Sequence, residues 1–333
     1  MTRIALVLGA GGVVGQAYHA GALAALEHDL GWDPREADVI VGSSAGSVTG
    51  ALLRAGVAAS DLASAAVESP LSAEAAPLFE RLTAGAPVDL GEPSPLDSLR
   101  PWRGPTRSLL ARTVARPWAF RPGAVLCTLL PDGRIDIAKH TGALQELCHD
   151  TWPDGLWINA VRRRDAARVV FGRAGAPEAP LGLAVAASCA IPGYFAPVRI
   201  GGVAYLDGGV HSPTNADVLR NEPEPFDLVV VLSSMSVAGG YSTGADAFMR
   251  WSAHQQLQIE IARLRASGTT VVSFEPGRKM LPVMGPNAMA TDRTDAVVQA
   301  AFLATGARAA RPEVAARLLP LTRRRARLQL LAS

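Results

Sequence analysis

Runs of consecutive apolar residues, many of them β-branched, recur along this chain between stretches of helical spacing. Ile4 to Leu8 reads as a buried strand, Ala17 to His28 as a helix, Val39 to Val41 as a second strand, and Ala45 to Ala55 as a helix closed by Gly56. Later apolar runs at Leu156 to Val161, Val169 to Gly172, Asp227 to Leu232 and Thr269 to Phe274 alternate with helical segments near Leu181 to Ser188, Ala245 to Arg265 and Asp292 to Thr305. Uninterrupted apolar strands separated by helices predict an α/β fold with a largely parallel central sheet covered by helices on both faces. One span breaks the alternation. Between Pro70 and Pro122, the prolines at 77, 87, 93, 95, 101, 105 and 117 exclude long helices and central strands. Trp102, Trp118, Phe120 and several arginines accompany them, which fits a surface insertion, a cap over a site, or a membrane-facing segment.

Composition narrows the classes. A chain of 333 residues, 49% hydrophobic and 19% charged, has enough apolar material for a sizeable core, and residues 1–333 are read as a single domain. A net charge of +2, with no basic stretch interleaved with aromatic platforms, argues against nucleic acid as a partner. Cys127, Cys148 and Cys189 form no CxxC pair, which favours reduced thiols and a cytoplasmic setting. The opening MTRIALVLGAGG has too short an apolar run for a signal-peptide core and reads as a first strand. No apolar stretch reaches the roughly 18 residues that a membrane span requires.

Candidate chemistry sits in three glycine-containing motifs. DVIVGSSAGSVTG places Gly42, Ser43, Ser44, Ala45 and Gly46 as G-x-S-x-G after a strand and before a helix, the setting of a nucleophile elbow with Ser44 at its apex. Ser43 reads as a structural hydrogen-bonding residue and Ser47 as a small packing residue. LGAGGVVG, with Gly9, Gly11, Gly12 and Gly15, follows the first strand. It admits two uses: a loose dinucleotide turn, or an oxyanion hole built from the backbone N–H groups of Gly11, Gly12 and Val13. The dinucleotide use is weakened because Val14 stands where G-x-G-x-x-G needs glycine, and no tyrosine has a lysine four residues later. In AYLDGGV, Asp207 ends a short strand ahead of Gly208 and Gly209, either as a proton acceptor or as a simple Asp-Gly turn. Each of the six histidines reads as a surface or core residue, and none follows His254.

Together, in this order, the three motifs resemble the patatin-like phospholipase family. The similarity extends over AASCAIPGYFAPV (Ala186 to Val198) and MGPNAM (Met284 to Met289), and is weakest over Pro70 to Pro122. One departure is Val14, where the family often carries Arg or Lys before the loop's last glycine. The resemblance implies a patatin-like fold and a Ser44–Asp207 dyad without histidine. It also implies an oxyanion hole at Gly11, Gly12 and Val13, no metal or cofactor, and cleavage of carboxylic esters of phospholipids, lysophospholipids or acylglycerols. Met280, Met284 and Met289 read either as lining for an acyl channel or as ordinary core. Residues 311–333, with Arg311, Arg317, Arg323, Arg324, Arg325 and Arg327, form a basic tail, read as a solvated helix or as a peripheral contact with an anionic membrane. A nucleotide-binding short-chain-type oxidoreductase and a catalytically silent lipid-binding protein are the rival classes.

Overall fold

The computed structural model describes residues 2–83, 101–148 and 151–332, without the side chains of Ala119 and of residues 323–332. Its framework is an eight-stranded sheet in the order β5-β6-β3-β2-β1-β7-β8, with β4 on the other edge of β3. These strands are β1 (Ile4–Leu8), β2 (Val39–Ser43), β3 (Leu156–Arg162), β4 (Ala167–Phe171), β5 (Val198–Ile200), β6 (Val203–Asp207), β7 (Leu228–Leu232) and β8 (Thr270–Phe274). The run β3-β2-β1-β7-β8 is parallel throughout, while β4, β5 and β6 pair antiparallel. Every residue of β1 is fully buried, as expected for a central strand with both neighbours parallel.

Alternation along each strand divides the core into two layers. Ile4, Leu6, Leu8, Ile40, Leu228 and Val230 face a helical layer on one side. It is built from α1 (Gly12–Leu30), α2 (Ala45–Arg54), α3 (Ala59–Ala66), α8 (Leu181–Ser188) and α11 (Thr294–Ala309). Ala5, Val7, Val39, Val41, Val229 and Val231 face the other side, where Leu257, Ile261 and Leu264 of α9 (Ala247–Ala266) complete a smaller layer. The predicted α/β sheet covered on both faces is therefore the observed fold.

Three features bear on the sequence reading, each with a physical cause. First, α1 begins at Gly12, five residues before the expected Ala17, because the glycine turn itself winds into the first helical turn. Gly15 N–H bonds the Gly11 carbonyl at 2.8 Å and Val14 N–H bonds Ala288 O at 3.0 Å, tertiary support that propensity does not reveal. Second, as its prolines predict, the described part of the proline-rich span holds only short helices, α4 (Ala76–Thr83), α5 (Arg107–Ala115) and α6 (Pro122–Leu129). Pro122 opens α6 at a position where its missing N–H costs nothing. Pro87, Pro93 and Pro95 lie outside the described residues. Third, the basic tail is docked along its first half: in α12 (Pro312–Ala332), Val314, Leu318 and Leu321 are buried in the main core. The side chains of Arg323, Arg324, Arg325 and Arg327 lie outside the described residues. No helix among the described residues is long and apolar enough to cross a membrane.

Candidate active site

β2 ends at Ser43 and α2 starts at Ala45, so the chain turns within one residue. Ser44 makes that turn at φ 51°, ψ −120°, a conformation non-glycine residues hold only when their surroundings impose it. Its amide donates to Ser188 Oγ at 2.9 Å, and Ser47 Oγ donates to its carbonyl at 2.6 Å. The turn tolerates no bulk beside it: a Cβ on Gly46 would lie 1.9 Å from the Leu8 carbonyl oxygen, and one on Gly42 would lie 2.6 Å from Ser47 Cα.

β3 delivers the partner. Along one of its edges Ser43 pairs with Asn159 from β2, and at the next residue Ala160 pairs with Asp207 from β6, while β4 occupies the opposite edge. β2 and β6 thus meet end to end on one strand, and the tip of each carries a motif. Gly208 permits this closeness, since a Cβ there would lie 2.2 Å from Asn159 O. The Ser44 side chain lies close enough to the Asp207 carboxylate and the Cys189 thiol to pull the pKa of both down. Asp207 is only 5% exposed. Burial pushes its carboxyl up to about 7, against the opposing pull of the Ser44 side chain and of the bond from Gly209 N–H, 2.6 Å from Oδ1. Burial also pushes the Cys189 thiol up to about 12, with the Asp207 charge adding to the shift, so it stays neutral at physiological pH.

The glycine loop closes the third side. Gly9 N–H bonds Leu232 O at 2.9 Å and Ala10 N–H bonds Pro213 O at 2.8 Å. Among the described residues, the N–H groups of Gly11, Gly12 and Val13 have no hydrogen-bond partner. They lie at the start of the 19-residue α1, whose positive end they form. Gly15 packs towards Ala45, next to Ser44, and Gly209 packs against Ala10, so the three motifs converge. Gly12 adopts φ +61°, with Ala288 O only 2.5 Å from where a Cβ would stand and Met289 Sδ 3.0 Å away. Hence Met289 walls the loop, whereas Met280 and Met284 are buried core. Val14 is buried, at 2% exposed.

Ser43 is structural, accepting from Asn159 Nδ2 at 3.3 Å and Asn215 Nδ2 at 3.0 Å. Those two asparagines escaped the sequence reading. Asn215 also donates to Gly208 O at 3.1 Å and so ties the serine turn to the aspartate turn. Glu260 of α9 holds the segment in place by accepting from Thr214 Oγ1 at 2.6 Å and Ala216 N–H at 2.8 Å. The available signal was a lone Asn inside the apolar strand LWINAVR. Among the described histidines, burial lowers both His19 and His211 to about 3, and His254 pairs with Glu275 at 2.7 Å. Apart from His149, which lies outside the described residues, no histidine hydrogen-bonds Ser44 or Asp207. Among the described residues no group of three or more His, Cys, Asp or Glu is placed to hold a metal ion. A hydroxyl on a strained turn, a carboxyl titrating near neutrality and unpaired N–H donors are the parts that acyl transfer uses.

Solved structures with a related fold include VipD from Legionella pneumophila, 13% identical with a TM-score of 0.40, covering 91% of this chain and 66% of that one. The type III effector protein ExoU is 17% identical with a TM-score of 0.36, covering 92% of this chain and 52% of that one. ExoU in its heterodimeric complex with SpcU, from the type III secretion system of Pseudomonas aeruginosa, is 18% identical with a TM-score of 0.35, covering 92% and 51%. This chain therefore spans between about half and two thirds of their length. No curated protein sequence matches it. Residues 6–220, from the first strand through both the serine and the aspartate turns, match the family model for patatin-like phospholipase, and the chain belongs to that family.

Proposed function

We propose that the protein is a lipid acyl hydrolase that cleaves carboxylic esters of phospholipids, lysophospholipids or acylglycerols through Ser44 and Asp207. The observation that carries this reading is the meeting of the strained Ser44 turn with a buried carboxyl raised to about 7, on which the Ser44 side chain acts directly. In the reaction, Ser44 Oγ attacks the ester carbonyl carbon and its proton passes to Asp207. The N–H groups of Gly11, Gly12 and Val13 receive the oxyanion. Losing one such donor typically costs about 10²- to 10³-fold in rate. Collapse expels the alcohol, which takes the proton from Asp207. Water then attacks the acyl-enzyme, gives a proton to Asp207, and frees the acid as that proton returns to Ser44. An aspartate is a weak base at its ordinary pKa, so burial is what fits it for the task. No step calls on a metal or cofactor. The substrate reaches the site, in this reading, from an anionic membrane that the protein meets peripherally in the cytoplasm.

The test is fluorophosphonate labelling read by intact mass and peptide mapping, alongside a panel of esters and phospholipids. Wild type should be modified at Ser44 and hydrolyse the panel, and Ser44→Ala should lose both while retaining its circular dichroism. Labelling at Ser43, or full activity in Ser44→Ala, overturns the assignment. Lipid binding without labelling or turnover returns the silent-binder class, and tight nicotinamide binding without labelling returns the oxidoreductase.

A further inference from the structure

At the β5–β6 edge of the sheet, away from the serine turn, a cavity of about 510 Å³ is lined, among the described residues, by Arg103, Arg163, Arg164 and Arg199 and by no carboxylate. These arginines come from three places: the loop ahead of α5, the end of β3, and β5. Arg163 and Arg164 belong to the run Arg162–Arg164, and the fold brings Arg103 and Arg199 to them from elsewhere in the chain. Asp132 lies behind the cavity and meets Arg103 at 2.5 Å and also Arg163. Asp165, which follows Arg164 in the chain, is taken by Arg162 through bonds of 3.0 and 2.7 Å. Arg199 reaches only the Gly202 carbonyl, at 3.3 Å, and among the described residues no hydrogen bond or ion pair engages the Arg164 side chain. Among the described residues the cavity thus gathers more positive charge than its surroundings neutralise. Burial, followed by the repulsion of Arg103 and Arg199, lowers the Arg163 guanidinium despite its bonds to Asp132.

Like charges gathered in a concavity repel unless an anion joins them. Guanidinium forks match the oxygens of phosphate better than any other side chain does. The volume falls in the range of small-ligand sites and excludes a nucleic-acid duplex. We infer that this four-arginine cavity binds a phosphate-bearing anion, either a phospholipid headgroup or a soluble phosphate. The site is separate from the acyl-transfer groups. Arg163 stands three residues beyond Ala160, the partner of Asp207 in β3, or about 10 Å along a strand. One element touches both places: Cys127 of α6 lies near the Asp207 charge, while Thr128 and Leu129 line the cavity.

The inference is tested by binding, which needs no turnover and so stands apart from the hydrolase reading. Calorimetry of the full-length chain with pyrophosphate should show saturable binding that weakens as salt is raised. Arg164→Gln/Arg199→Gln, a double change at two exposed side chains, should weaken it at least tenfold, and Arg220→Gln, distant from the cavity, should leave it unchanged. Arg163 is left intact because it also holds Leu130 O at 2.9 Å. Thermal unfolding of the double variant should match wild type, so that lost binding is not lost fold. Flotation of the Ser44→Ala chain with phosphatidylcholine vesicles, with and without phosphatidic acid, identifies the source. Capture that requires phosphatidic acid and fails when the double change is added assigns a lipid headgroup. Capture indifferent to the double change, beside pyrophosphate binding that is sensitive to it, assigns a soluble phosphate. Absence of saturable pyrophosphate binding, a double variant that binds like wild type, or equal competition by polyglutamate overturns the inference.

Discussion

A carboxyl that titrates near 7 inside a protein costs stability whenever it is ionised, and at Asp207 the sign of that cost can be worked out. Its folded pKa of about 7 lies above the ordinary 3.8. The folded state therefore binds a proton more tightly than the unfolded state, and stability falls as pH rises between those two values. The full effect is on the order of 4 kcal/mol. Asp207→Asn should abolish hydrolysis, since an amide cannot accept the serine proton. The same variant should melt higher than wild type at pH 8, with the gap narrowing towards pH 5 in calorimetric scans. A variant that melts at or below wild type across that range would mean the carboxylate is not under desolvation strain. Hydrolysis by wild type should rise with pH through about 7 as Asp207 becomes able to accept. A rate that is flat across this window, or that falls as pH rises, would remove Asp207 from the role of base.

At the scale of elements, what matters is how two strand tips are held against each other. Asn215 links them, bonding Ser43 Oγ and Gly208 O from a left-handed backbone at φ 53°. Asn215→Gly keeps that backbone accessible while deleting the side-chain bonds. We expect kcat for a soluble ester to drop by up to about 100-fold with KM little changed, because misplacement of about 1 Å has that effect. Equal loss in KM, or no loss in kcat, would leave Asn215 a purely structural residue. Much of this level was legible beforehand. β1, β7, β8 and α8 were readable to within a residue at each end because apolar runs this dense admit little else. The asparagines were not legible, since a lone polar residue in an apolar strand announces a buried bond without naming its partner. The early start of α1 was hidden because Ala288, which stabilises it, lies far along the chain. The docked half of α12 was masked by arginines interleaved with its leucines.

For the molecule as a whole, the basic tail offers a test of membrane contact. Truncation after Leu319 is unsuitable, since it would remove the fully buried Leu321. Changing Arg323, Arg324, Arg325 and Arg327 to glutamine leaves the docked half of α12 in place. Binding to anionic vesicles should weaken by about 1 kcal/mol for each arginine replaced, while turnover of a soluble short-chain ester persists. Binding unaffected by these changes or by salt would leave the tail without a membrane role.

The end-to-end meeting of β2 and β6 on β3 also has a kinetic consequence. Local helices need only neighbouring residues, but Ser44 faces Asp207 only after β3 has paired with both strands along one edge. Contacts between such distant segments carry a large loop-closure cost and form slowly. On dilution from denaturant, far-UV ellipticity should therefore recover first, and reactivity towards a fluorophosphonate should appear in a later phase. The serine would then act as a clock for completed assembly, silent in every intermediate that has its helices but not yet its sheet.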